Sequence, residues 1–196
     1  MKRGTIILIV VAAVLLLGGC SSYNGLVNKQ VAVDQQWAEV QNQYQRRSDL
    51  IPNLVNTVKG AANFEKGTLE AVIQARANAT RPEINVSADN LTPEKLQQFE
   101  AAQGQVTGAL GRLLAVAEAY PTLQANRNFL ELQAQLEGTE NRITQARRGF
   151  NAAAGDYNIA VRRFPANIFA GIFGFSQRPF FQATTPGAEN APQVQF

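Results

Sequence analysis

The sequence predicts an all-α fold, an elongated antiparallel helical bundle, on three observations. Apolar residues recur at spacings of three and four along most of the chain, the mark of one buried helical face. No stretch of comparable length alternates apolar and polar residues with the period of a strand. Pro121 and Pro165 stand where the periodic stretches stop, as expected of a residue that cannot continue a helix. Helices with one apolar stripe must bury it on each other, and long antiparallel neighbours do so simply.

After Gly25, Val33, Trp37, Val40, Tyr44, Arg47, Ile51, Leu54 and Val58 are spaced alternately four and three, the period of a coiled coil, with one charged residue, Arg47, among them. Pro52 lacks the amide proton and crowds the carbonyl four residues back, so this first helix is predicted to kink near Asp49. Leu69, Val72 and Ile73 carry the signal on to about Ala79, weakened at Gly60 and Gly67. Residues 80–90 read as a loop. Thr92-Pro93-Glu94 then starts a helix, with Thr as cap, Pro at the first position and Glu in the first turn. Phe99, Ala102, Val106, Leu110, Leu113, Ala117 and Tyr120 continue it, and Gly104, Gly108 and Gly111 on this helix are expected to permit close packing.

The longest pattern alternates three and four through Phe129, Leu132, Leu136, Thr139, Ile143, Ala146, Phe150, Ala153, Tyr157, Ala160 and Phe164, a helix of roughly 55 to 65 Å. Trp37, Tyr44, Phe129, Phe150, Tyr157 and Phe164 are assigned to the core. The aromatic-rich stretch from Ile168 to Phe175, with Phe180 and Phe181 behind it, is expected to fold back over an end of the bundle. Residues 182–196 are expected to be a disordered tail.

Composition narrows the chemistry. The chain has 196 residues, no histidine and one cysteine, with 45% hydrophobic and 17% charged residues, which suits one globular domain. Without His there is no Ser-His-Asp or Cys-His catalysis, and one Cys forms neither an internal disulfide nor a CxxC pair. Di-iron bundles need Glu-x-x-His pairs, and no clustered oxygen-donor loop is visible, so neither metal nor cofactor is expected.

The N-terminus orders Lys2 and Arg3, an apolar run from Ile6 to Leu17, and Leu17-Gly18-Gly19-Cys20-Ser21. A run of roughly 12 to 14 residues is short against the 20 or so that span a bilayer, so residues 1–19 read as an export signal. Cys20 after Leu-Gly-Gly resembles the lipobox of bacterial lipoproteins, in which the cysteine becomes an acylated N-terminus. By that resemblance Ser21 permits transfer to the outer membrane of a double-membrane host. A retained, uncleaved N-terminal anchor is the alternative. Loss of Lys2 and Arg3 with the signal lowers the net charge from +3 to +1, which removes the case for nucleic-acid binding.

Arg46-Arg47-Ser48-Asp49-Leu50-Ile51-Pro52-Asn53-Leu54, Glu118-Ala119-Tyr120-Pro121, Asn128-Phe129-Leu130-Glu131-Leu132, Leu136-Glu137-Gly138-Thr139-Glu140-Asn141-Arg142, Ala146-Arg147-Arg148-Gly149-Phe150-Asn151 and Arg163-Phe164-Pro165 occur in that order. From about Tyr23 to Phe181 the chain resembles the LemA family of bacterial envelope proteins. The resemblance implies a long antiparallel helical bundle, tethered at its N-terminus and facing away from the cytoplasm, with no established biochemical activity and no catalytic residues to carry over. Two departures stand out: a cysteine box where many members have a spanning segment, and Gly149-Phe150 where the family tends to have a larger residue and Tyr.

Arg47, Glu118, Glu140 and Arg147 are the candidates for a polar layer inside the bundle, with Arg47 expected to pair with Glu140. Such a layer either fixes helix register or forms part of a ligand site near the Pro52 kink, and register-fixing is the simpler reading. The partners implied are a membrane, through a lipid on Cys20, and an envelope protein. The function expected is therefore structural or protein-interacting and non-catalytic, with a small-ligand or sensory module as the alternative.

Overall fold

A computed structural model describes residues 3–60, 64–81, 84 and 86–182, and for most of the first seventeen residues the course of the backbone alone. The tail predicted for 182–196 lies outside the described residues except for Gln182, as do Met1 and Lys2. The chain is all-helical among these residues: α1 (Arg3–Lys59), α2 (Lys66–Ala79), a 3-10 turn (Ala88–Asn90), α3 (Pro93–Ala117), α4 (Pro121–Gln124), α5 (Arg127–Arg162) and α6 (Ala166–Phe173).

Side-chain pairs give the topology. Trp37 meets Phe150, Arg47 meets Glu140, and Asn53 and Thr57 share a groove with Glu131 and Gln135, so α5 runs antiparallel to α1. Phe99 packs on Tyr44 while Gln103 and Thr107 reach Arg47, which makes α3 parallel to α1. α2 descends between them, with Arg76 at Ser48 and Phe64, just before the helix, against Tyr120. The result is an up-down-up-down bundle. At 36 residues α5 is about 54 Å long, whereas α2 has only 14 residues. The segment after α2 completes the wall: the Trp37 indole donates to the Val86 carbonyl at 2.8 Å, and Gln41 donates to the same oxygen at 3.1 Å.

The core divides into two apolar clusters. One gathers Trp37, Tyr44, Phe99, Ile143, Phe150 and Tyr157. The other gathers Ile51, Leu54, Val72, Leu110, Leu113 and Leu136.

Several expectations need correcting. Phe164 is 76% exposed, not core. Beyond Phe150 the buried apolar positions are Ala154, Tyr157 and Val161, because two steps of four in succession let the 3.6-residue helix catch up with a 3.5-residue pattern, and α5 ends one residue after Val161. Helix α1 itself runs unbroken through Pro52. The helical run predicted up to Ala79 instead breaks after Lys59, and Ile73 is exposed on α2. Gly104, Gly108 and Gly111 are exposed and face open space, so they mediate no close packing.

The start of α3 follows the sequence reading: the Thr92 hydroxyl accepts from the Lys95 amide and Pro93 takes the first position. The C-terminal segment folds back along α5. Asn158 exchanges two hydrogen bonds of 2.8 Å with the backbone of Arg178, and Asn151 does the same with Phe181 at 3.0 and 2.9 Å. Two turns of helix and three extended residues both span about 10 Å, so one pair of amides matches the other. Gly174, at φ +77°, closes α6 in the left-handed conformation that starts this return.

Because a methyl group at Gly104, Gly108 or Gly111 meets nothing within 4 Å, each glycine-to-alanine change is expected to stabilise the fold by about 0.5 to 1 kcal/mol. Calorimetry of the triple alanine variant checks this through a raised Tm.

Candidate functional site

The polar layer lies between the two apolar clusters and is centred on Arg47, which is 1% exposed. Its Nη1 donates to Glu140 Oε1 and to the Thr107 hydroxyl, both at 2.7 Å. Its Nη2 donates to the Gln103 side chain at 2.6 Å and the Gln103 carbonyl at 3.1 Å. The guanidinium also lies over the Tyr44 ring, 5.0 Å from its centroid. A buried cation is thus satisfied by α3 and α5 together, with the half-exposed Glu140 as counter-charge.

Arg147 belongs to a neighbouring pair on the same face of α5. It meets Glu100 at 2.6 Å, donates to the Gln182 carbonyl at 3.0 Å, and covers the Phe181 ring at 4.6 Å. Burial raises the Glu100 carboxyl above its ordinary value, outweighing the opposite pull of Arg147. Burial likewise holds the Tyr44 phenol above its usual range, against the influence of Arg147 and Arg47.

Glu118 is not part of the layer. It is exposed at the far end of α3, where its carbonyl accepts from Gln124 at 2.7 Å. Glu100, Gln103 and Thr107 supply α3's contribution instead, and their spacing of three and four is the signal that marks one polar face on that helix. A second cluster is equally absent from the sequence reading. Arg178, 9% exposed, donates to the Ala88 carbonyl at 2.6 Å and lies 3.5 Å from Asp89 and 3.9 Å from Asp34. It stands in an extended segment, where no periodicity announces burial.

Pro52 has a precise structural effect. Lacking an amide proton, it leaves the Ser48 carbonyl without its helical donor, and Arg76 Nε from α2 takes that place at 2.9 Å. Beside this contact a cavity of about 270 Å³ opens between α1, α2 and α3, with Arg47, Ser48, Ile51, Arg76, Gln103 and Val106 among its lining residues. Where the family's Tyr is expected, Phe150 is fully buried against Trp37 and Phe181, so the position is a packed ring with no hydroxyl to satisfy.

Cys20 is exposed, and the neighbouring Gly19 is packed against α6, since a Cβ there would come within 3.0 Å of the Phe169 ring. No helix among the described residues is long and apolar enough to cross a membrane. The described residues also contain no group of three or more His, Cys, Asp or Glu placed to hold a metal ion.

The LemA family profile matches residues 36–196. The chain belongs to the LemA family. It is 26% identical to magnetosome protein MamQ of Magnetospirillum gryphiswaldense, over 95% of this chain and 76% of that protein. It is 24% identical to protein LemA of Metamycoplasma hominis, over 82% of this chain and 69% of that protein. A shorter match, 41% identical over 86 residues, links 44% of this chain to magnetosome protein MamQ 2 of Paramagnetospirillum magneticum, of which it spans about a third (32%). In this LemA-family protein Arg47, Glu140 and Arg147 fall within the motifs that carry the resemblance, whereas their partners Gln103, Thr107 and Glu100 on α3 lie outside them.

Two predictions follow from the layer's geometry. Arg47→Ala orphans the acceptors on Gln103 while leaving Glu140 access to water, so a loss of about 2 to 3 kcal/mol is expected in urea unfolding. Arg47→Met, which refills the volume, is expected to lose less. For Glu100, a carboxyl raised above its ordinary 4.5 binds its proton more tightly in the folded state. Its contribution to stability therefore falls as pH rises from below 4.5 through the folded value. Calorimetry across that range is expected to show Glu100→Gln gaining Tm relative to the parent as pH rises.

Proposed function

We propose that the protein is an exported envelope lipoprotein, held by acyl chains on Cys20 and facing away from the cytoplasm, with a structural or protein-interaction role and no catalytic chemistry. The observation that carries the anchoring is the surface beside Cys20. Helix α6 packs next to Gly19, yet leaves Ile168, Ile172 and Phe173 more than half exposed, and Phe164 stands out just before it. Arg162 and Arg163, both exposed, border the same corner. An apolar helix face edged by arginines suits the boundary between lipid headgroups and acyl chains. Removal of residues 1–19 would uncover Phe169 as well and enlarge that face. Two membrane signals on one end, acyl chains and an apolar face, anchor more stably than either alone.

The names of the relatives, MamQ and LemA, denote no enzyme, which supports the non-catalytic reading. An envelope protein is the proposed partner, recoverable by crosslinking in intact cells. Mass spectrometry of the membrane-extracted protein tests the anchor. An acylated N-terminal Cys20 is expected, with Cys20→Ala abolishing acylation and retaining residues 1–19; an intact Met1 in the parent protein overturns it.

A further inference from the structure

The cavity beside Pro52 has a chemical character of its own. Two arginines line it and no carboxylate does. Arg47 is committed, since both Nη groups already donate to Glu140, Thr107 and Gln103. Arg76 is not: its Nε is fixed on the Ser48 carbonyl, while its Nη groups have no partner among the described residues. Ser48 itself is 8% exposed, and its hydroxyl oxygen has no hydrogen-bond partner among the described residues. A buried hydroxyl without a partner is costly unless something fills the space beside it. Ile51, Phe99, Val106 and Ala79 form the apolar part of the wall.

We propose that this cavity binds a small organic monocarboxylate, with Arg76 and the Ser48 hydroxyl holding its carboxylate and the apolar wall holding its short body. The planar guanidinium fork matches two carboxylate oxygens, and one uncommitted positive charge balances one negative charge. A phosphate dianion would remain under-compensated. A volume of about 270 Å³ lies just below the usual range of ligand pockets, near 300 Å³ upward, which limits the ligand to a compact molecule. Pro52 is the positioning residue: by freeing the Ser48 carbonyl it gives Arg76 a fixed seat at the cavity wall. This proposal does not rest on the membrane anchor, so either can fail without the other.

Ligand-observed NMR and titration calorimetry on the full chain in detergent test it. Butyrate and benzoate are the probes, butyramide and benzamide the neutral controls of matching shape, and inorganic phosphate the dianion. The carboxylates are expected to bind at least about tenfold more tightly than the amides and than phosphate. Arg76→Gln is expected to erase that preference, and Ser48→Ala to weaken carboxylate binding about threefold to tenfold. Because Arg76 also ties α2 to α1, Thr80→Trp supplies a second arm. Thr80 is exposed among the lining residues, and the larger ring is expected to block binding while leaving Arg76 in place. Equal binding of carboxylates and amides, preference for phosphate, unaltered binding in folded Arg76→Gln or Thr80→Trp, or no binding of any probe overturns the proposal.

Discussion

A single buried guanidinium sets the heights of three helices against one another. Apolar seams that repeat every three and four residues tolerate sliding, since a shift of one repeat brings equivalent side chains together. Arg47 does not tolerate it. Moved one step along α5, it would face Ile143 or Leu136 instead of Glu140, and a buried cation without its acceptors costs several kcal/mol. The two apolar clusters supply most of the burial, and the layer between them selects one alignment out of several that burial alone would allow.

The fold was legible because helical periodicity is a local signal. Trp37, Tyr44, Phe129, Phe150 and Tyr157 are buried where the spacing places them, and Arg47 pairs with Glu140 because both fall on facing seams. What escaped the sequence depends on other things. Phe164 is exposed because the register of α5 changes near Ala154, a shift that strict alternation cannot express. Glu100 on α3 and Glu118 at its C-terminal cap are both acids, but only the three-dimensional height of Arg147 decides which one meets a cation. The aromatic residues before Gln182 announce a fold-back, but its extended path along α5 is set by Asn151 and Asn158 on another element, so the segment's own pattern does not disclose that path.

Proline and asparagine serve related ends here. Pro52 removes one backbone donor and thereby recruits Arg76 across to α1. Asn151 and Asn158 present side-chain amides that act as a backbone edge for the returning chain. In both cases a backbone group without a partner in its own element is answered by a side chain from a distant one, which makes a tertiary tie.

The Trp37 indole bond to Val86 has an optical consequence. The chain contains one tryptophan, and its ring is in contact with Phe99, Phe150 and Phe181 while its N–H is held by the segment that follows α2. Any opening of that segment, or release of the returning C-terminal residues, wets the indole and alters its emission. The protein therefore carries a built-in fluorophore at the junction of its long helices, its loop wall and its C-terminal strap.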